Sequence, residues 1–476
     1  MDPNIPLVVD LDGTLINTDM LHESAIILFK NKPTAFLKAS LSLSSGKAAL
    51  KQRISSLIEF SPSTLPYNQE FIEYLKTQKK LGRRIILCTA SDQSIADSIA
   101  NHLNLFDEVF ASDGNINLGG TEKSNYLITK FGKGNYDYAG NSSVDVEVWK
   151  NCRKAIVVNA SKSTASKAAS VAVVEKSFSS QNATLRVWLK MIRVHQWLKN
   201  VLLFVPLLAA HSIFQPDSWV KLLIAFFSFS LCASTVYIAN DLLDLESDRS
   251  HPRKKNRPFA SGAIPIYKGI LLAPLLFLLS FLMASFVNPI FMIWLGIYFI
   301  ITCAYSFGIK KFILIDCLTL AILYTLRIIA GAAALLMPLS FWLLAFSIFL
   351  FLSLAFIKRY AELEVQLHSG NEKIHGRGYL VSDASLIQSL GITSGFAAVI
   401  VLALYINSDA IRLLYPNPEV IWGVVPVMLF WISWMWMQAH RGLMHDDPLI
   451  FAVKDRASLI TGLIFVFIMV LGAIRW

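Results

Sequence analysis

Asn240, Asp244 and Asp248 stand at i, i+4 and i+8, with Asp241 one step on, in the string NDLLDLESDRSHPRKKNRPFASG that runs from 240 to 262. On a helix these acceptors share roughly one face. Carboxylates gathered without cations among them repel, so the pattern calls for a divalent metal between them. Hard oxygen donors suit Mg²⁺, which keeps some of its waters and bridges to phosphate oxygens. Directly after come Arg249, Arg253, Lys254, Lys255 and Arg257, a basic run suited to neutralising phosphates. The stretch follows an apolar run, Leu222–Ala239, long enough to cross a bilayer. A solvated cytoplasmic loop accounts for the basic residues alone. It does not account for carboxylates at helical spacing where a hydrophobic span ends.

A second set of reactive residues opens the chain. Leu7-Val8-Val9 reads as a short buried strand that delivers Asp10 to the Gly-containing turn DLDGTL, Asp10–Leu15. Such a strand end suits a nucleophilic or metal-binding carboxylate. Arg84–Cys88 reads as a second strand, delivering Thr89 and Ser91; Lys123 follows in GGTEKSNYL, and YDYAGNSSVD, Tyr136–Asp145, comes next.

These sites need two different scaffolds. The 476 residues are 54% hydrophobic and only 16% charged, but unevenly so. Up to about Arg186 the composition is mixed and soluble. From Trp188 onward come apolar runs of roughly 17–22 residues, the length that spans about 30 Å of hydrocarbon. About nine spans are expected, near 198–214, 219–239, 268–286, 289–307, 314–335, 339–357, 387–407, 418–437 and 457–474. The loops after even-numbered spans are basic (Arg253 to Arg257; Lys310 and Lys311; Lys358, Arg359, Lys373 and Arg377; Arg441, Lys454 and Arg456), whereas the others are short and nearly uncharged. The positive-inside rule therefore puts the basic loops and the N-terminal domain in the cytoplasm and the C-terminus outside. No cleavable signal peptide is expected at MDPNIPLVVDLDGTL. The five cysteines lack metal-ligand spacing, which fits a reducing compartment. The net charge of +10 belongs to the loops, with no single basic face interleaved with aromatics, so nucleic-acid binding is not expected.

Further chemistry gathers in the basic loops. Arg193, His195 and Lys199 precede the first span in RVHQWLKN, where Trp197 suits an interfacial anchor. YSFGIKK carries Tyr305 and Lys310, and FIKRYAEL carries Lys358 and Arg359. Asp316 opens the fifth span and Arg327 lies three turns further, so both could face one cavity; an arginine within a span is a functional candidate by default.

Two resemblances follow from these strings. DLDGT, Thr89, Lys123 and GNSSVD in order resemble motifs I to IV of the haloacid dehalogenase (HAD) phosphohydrolases. NDLLDLESD with HPRKKNRP, YSFGIK and the loop MHDDPLIFAVKDRAS, Met444–Ser458, resembles the UbiA superfamily of intramembrane prenyltransferases, and within it the polyprenyl-phosphate (decaprenyl-phosphate) phosphoribosyltransferase branch. The fold these imply is an α/β Rossmannoid HAD-like domain over 1–180, with a cap over about 20–78. A linker and interfacial helix over 181–197 then leads to an all-α, multi-pass UbiA-type transferase domain over 198–476.

By the HAD resemblance, Asp10 is the nucleophile and Asp12 the general acid/base. Thr89 and Lys123 hold phosphoryl oxygens, and Mg²⁺ sits among Asp10, Asp12, Asn141 and Asp145. Asn141 stands where that family supplies a carboxylate, so weaker metal binding, or a domain kept for packing or regulation, is implied. By the UbiA resemblance, Asn240, Asp241, Asp244 and Asp248 hold Mg²⁺ on a leaving diphosphate, with Asp241 and Asp244 central to catalysis. Lys199, Arg253, Lys254, Arg257, Tyr305, Lys310, Arg327, Lys358 and Arg359 contact the substrates. The second aspartate motif lacks its partner, since position 320 is Leu. The branch implies phosphoribosyl pyrophosphate and polyprenyl phosphate as substrates in the cytoplasmic membrane, with the HAD domain removing the 5-phosphate. Two alternatives are a UbiA aromatic polyprenyltransferase with a 4-hydroxybenzoate-like acceptor, and a non-enzymatic lipid-binding or transport protein.

Overall fold

The computed structural model describes residues 4–42, 46–114, 116–179, 183–210, 214–368, 377–444 and 447–474. The chain divides into two compact units, one of residues 1–192 with 237–274 and one of residues 193–236 with 275–476.

The first unit is built on a six-stranded parallel sheet of order β3-β2-β1-β4-β5-β6. Its strands are β1 Leu7–Val9, β2 Ile85–Asp92, β3 Glu108–Ser112, β4 Asp137–Gly140, β5 Lys154–Val158 and β6 Val173–Phe178. All three β1 residues are fully buried, as a central parallel strand covered on both faces requires. The order reverses at β1, and the crevice beyond the carboxyl ends of β1 and β4 is the place where such sheets bind ligands. Asp10 leaves β1 there, its N–H donating to the Ala139 carbonyl at 3.0 Å. Gly13 makes the following turn at φ +74°, and a Cβ there would run into the Asn141 side chain.

The lobe after that turn holds α1 Met20–Asn31, α2 Pro33–Ser40 and α3 Lys47–Ser55. Asp19 starts α1 by accepting from the Leu21 and His22 N–H groups. The lobe has its own small core of Leu28, Ala39 and Ile54. It closes before 78, because the helix Gln69–Lys80 places Phe71, Tyr74 and Leu75 in the core of the sheet.

Eight helices among the described residues are long and apolar enough to cross a membrane, by length and composition: 216–243, 266–285, 289–307, 315–334, 341–367, 381–406, 418–440 and 456–473. The first expected span differs. Val194–Phe204 is 3₁₀-helical and continues into the α-helix Val205–Ala209, with Pro206 near the junction. Proline has no N–H for an α-helical bond to the preceding turn. The 3₁₀ rise of about 2 Å per residue lets this short segment extend about 30 Å. The chain is a multi-pass membrane protein with an α/β N-terminal domain.

Candidate active sites

At the end of β1, Lys123 reaches Asp10 Oδ1 at 2.6 Å and donates to the Tyr138 hydroxyl at 3.0 Å. Tyr138 donates onward to Asp145 Oδ1 at 2.7 Å. Asp145 Oδ2 accepts from the Asn141 N–H, the Ser142 N–H and the Ser142 hydroxyl at 2.9–3.0 Å. Asp145 is thus spent in shaping the loop after β4. Asp12 accepts from the Met20 N–H and the Ser91 hydroxyl, both at 2.8 Å. Thr89 is fully buried, and its hydroxyl accepts from the Ser91 N–H. The expected set therefore meets in one place.

Burial pushes the Asp10 carboxyl up to about 7, with Lys123 opposing the rise and Asp145 adding to it. Burial and the nearby Asp19 push Asp12 up to about 6. A carboxyl that titrates this close to neutral can both take up and deliver a proton. Asp10, the Asp12 carbonyl and the Asn141 side-chain oxygen are the hard donors this site offers a cation, a set that fits Mg²⁺. Among the described residues no three His, Cys, Asp or Glu side chains gather as a metal cluster. Lys51, which no sequence signal marked, extends from α3 to donate to the Ala90 carbonyl at 2.6 Å.

The aspartate-rich stretch keeps its helical spacing. The helix ending at Leu243 passes through Asp244 into a second helix, Leu245–Ser250, and the Asp244 and Asp248 N–H groups bond to the Asn240 and Asp244 carbonyls. The four acceptors nevertheless separate into two pairs. Arg257 Nη1 bridges Asp241 Oδ1 at 3.0 Å and Asp248 Oδ2 at 2.6 Å. Asn240 donates to Asp244 Oδ2 at 3.1 Å. Arg257, expected on a phosphate, thus supplies the positive charge this face requires, since the chain returns through 251–257 to bring it there. Asp248 is held above the usual carboxylate range by burial, against the pull of Arg257. A face that takes a guanidinium between two carboxylates, with Asn240 and Asp244 beside it, fits a hydrated Mg²⁺ in its donor chemistry. Arg253 and Lys254 are exposed on the turn that follows.

In the second unit, Lys199 Nζ lies 2.7 Å and Lys358 Nζ 3.3 Å from Asp447 Oδ2. The Tyr324 hydroxyl donates to the same carboxylate at 3.1 Å. Asp447 joins Lys199 across 248 residues of sequence. In the string MHDDPLIFAVKDRAS no spacing distinguishes it from the neighbouring carboxylates. His445 and Asp446 of that string, and Lys373, lie outside the described residues. Asp447 is held far below the usual carboxylate range: burial opposes this, but the two lysines outweigh it. A carboxyl depressed in the fold contributes stability above its unfolded value near 4 and loses it as pH falls. Detergent-solubilised protein is expected to lose thermal stability below about pH 4, and Asp447→Asn to flatten that slope; an unchanged slope in the variant contradicts the assignment.

Asp316 and Arg327 do not meet, contrary to the expected shared cavity. Arg327 donates to Asn200 Oδ1 at 2.9 Å, to the Tyr298 hydroxyl at 3.1 Å and to the Leu323 carbonyl. Tyr298 and Tyr324 lie against its guanidinium, with ring centres 4.9 and 5.4 Å away. All its partners are neutral, so it orders the wall behind Lys199 and Tyr324. Asp316 Oδ1 accepts from Tyr379 at 2.5 Å, and its Oδ2 faces Arg359 at 2.6 Å and Arg377 at 3.4 Å. Glu362 pairs with both arginines. Arg359 is thus bound in a buried network, and Tyr305 joins its edge through Arg377. Lys310 lies on the short turn Ile309–Lys311. Leu320, at the place of the missing second aspartate, packs against the apolar core. Removing one partner of such a network leaves a buried charge, so Asp316→Asn is expected to destabilise the protein by about 3 kcal/mol, read as a fall in Tm.

The sequence and fold agree with comparisons to known proteins. A family model described as the UbiA prenyltransferase family matches residues 201–453. The chain belongs to that family, whose members are transferases. It is 34% identical to an uncharacterized protein, y4nM, of Sinorhizobium fredii, over 97% of this chain and 90% of that one. It is 37% identical to the decaprenyl-phosphate phosphoribosyltransferase of Mycolicibacterium smegmatis, over 38% of this chain and 58% of that enzyme. A UbiA homologue of Archaeoglobus fulgidus, solved with geranyl diphosphate and Mg²⁺, aligns over 60% of this chain and all of its own length, at 16% identity and a TM-score of 0.46.

Proposed function

We propose that the protein transfers a 5-phosphoribosyl group from phosphoribosyl pyrophosphate to a polyprenyl phosphate, in a Mg²⁺-dependent reaction. The observation that carries this reading is the cationic character of the second unit. Lys199 and Lys358 share one carboxylate, Asp447, while the second aspartate motif is reduced to an Asp316 already bound by two arginines. A prenyl diphosphate asks for metal-binding carboxylates in both motifs. Two phosphorylated substrates ask for ammonium groups.

In this reading Asn240, Asp241, Asp244 and Asp248 would hold the metal, which when bound would neutralise the charge of the departing diphosphate. Arg253, Lys254 and Lys310 neutralise further phosphate oxygens, and Lys199 and Lys358 orient the lipid phosphate. The bond from ribose C1 to the diphosphate oxygen breaks and the electron pair leaves with pyrophosphate. A lipid phosphate oxygen then bonds to C1. That oxygen is already anionic, so no base is required.

The N-terminal domain then removes the 5-phosphate. Asp10 attacks phosphorus, Asp12 protonates the departing 5-oxygen, and water, deprotonated by Asp12, cleaves the aspartyl phosphate. Lys123 holds Asp10 in place and Thr89 faces the phosphoryl oxygens. Fusion raises the effective concentration of the second step. The basic loops support a cytoplasmic membrane location with this domain inside.

Pyrophosphate release by the purified protein tests the transfer. It should require phosphoribosyl pyrophosphate and polyprenyl phosphate together. Release with either one alone, or from a prenyl diphosphate with 4-hydroxybenzoate instead, refutes it.

A further inference from the structure

Helix α1 belongs by sequence to the N-terminal α/β domain, yet within the first unit it lies along the aspartate-rich segment. Glu23, Ile27 and Lys30 occupy one face of it, at i, i+4 and i+7. Arg249, the residue after Asp248, grips Glu23 with both terminal nitrogens, at 3.2 and 2.5 Å. The pair is buried, with side chains 7% and 3% exposed. Arg249 Nε also donates to the Ala260 carbonyl at 2.9 Å, tying the segment's far end to the same point. Two turns along α1, Lys30 Nζ stands 3.6 Å from Asp244 Oδ1. Between the helices remains a cavity of about 70 Å³, whose lining includes Glu23, Lys30, Leu242, Leu245, Glu246 and Arg249. That is room for several waters beside Lys30 and Glu246.

The other end of α1 touches the second chemistry. The Met20 N–H donates to Asp12, and Glu23 Oε1 accepts from the hydroxyl of Thr18, whose carbonyl takes the Gly13 N–H of the motif I turn. A helix of 12 residues thus has a contact with Asp12 at its start and one with Asp244 near its end.

We propose that α1 is a working part of the diphosphate site: Lys30 is a binding residue for the diphosphate held at Asp244, and Glu23 is a positioning residue that fixes the aspartate-bearing helix through Arg249. The inference rests on the reading that the Asn240–Asp248 face takes a metal diphosphate. It is indifferent to whether a ribosyl or a prenyl group is attached. A half-exposed lysine beside a carboxylate adds little to folding. Beside a carboxylate that holds a metal diphosphate, the same ammonium meets phosphate oxygens in a charge-assisted contact.

The test is calorimetric titration of the full-length protein in detergent with pyrophosphate and Mg²⁺, in an Asp10→Asn background that removes turnover at the other phosphate site and leaves any binding there common to every variant. Asp244→Ala should lose binding. Lys30→Ala should weaken it about fivefold. Glu23→Gln should weaken it by more than about tenfold and raise the Mg²⁺ concentration needed, and Arg249→Lys should bind better than Arg249→Gln. If Asp244→Ala loses binding while Lys30→Ala and Glu23→Gln bind as the parent does, α1 is not part of the site and the metal reading stands. If Asp244→Ala binds as before, the metal reading fails and the inference with it. Should Glu23→Gln not fold, Lys30→Ala decides alone, since its side chain is 45% exposed.

Discussion

Replacing Asp244 with alanine is expected to lower transfer at least about 10³-fold, the cost of losing roughly 4 kcal/mol of charge stabilisation at a leaving diphosphate. The fold should survive. Asp244 is half-exposed, and its partners include the Asn240 amide at 3.1 Å and the more distant Lys30. Asp241 and Asp248 are different. Both are buried against Arg257, so alanine at either leaves a guanidinium short of a counter-charge and confuses lost chemistry with lost stability. Asp244 therefore separates the two effects. A variant with unchanged Tm and unchanged pyrophosphate release removes the metal role from this face.

Asp10→Asn is expected to lower hydrolysis of the 5-phosphate by about 10⁴-fold or more, since an amide cannot serve as the attacking oxygen. Two opposed effects act on stability. Burial disfavours the Asp10 charge, as its rise to about 7 records, so neutralising it relieves part of that cost. Lys123, only 4% exposed, then keeps no carboxylate in direct contact, because its link to Asp145 runs through Tyr138. The second effect is the larger, and a lower Tm is expected. Liquid chromatography and mass spectrometry of the lipid product distinguishes the outcomes: the variant should accumulate the 5-phosphorylated lipid. If it makes the same dephosphorylated lipid as the wild type, the N-terminal domain does not act there.

The parts of both sites that the sequence disclosed are those set by local chain geometry. DLDGT is a strand end and a turn within six residues, so Asp10 and Asp12 could be placed without knowing the sheet. The i, i+4, i+8 spacing of Asn240, Asp244 and Asp248 survives because the backbone bonds persist through Asp244. Long-range pairing was out of reach. Arg257 could be read as a phosphate ligand or as a counter-ion, and only the return of the chain over 251–257 decides for Asp241 and Asp248. Asp447 finds Lys199 across most of the membrane domain, and Arg327 finds Asn200 rather than a carboxylate. Glu23 had no signal at all, since one glutamate in an amphipathic helix looks like solvated surface. The first apolar segment starts earlier, at Val194, than a hydropathy window places it, and its 3₁₀ part covers more distance with fewer residues.

Membranes containing the protein, with Mg²⁺, can be given either labelled phosphoribosyl pyrophosphate with polyprenyl phosphate, or polyprenyl diphosphate with labelled 4-hydroxybenzoate. Label is expected in the lipid fraction of the first reaction only, and absent there for Asp244→Ala. Label in the second reaction alone would contradict phosphoribosyl transfer and make the protein an aromatic prenyltransferase that works without a carboxylate at position 320.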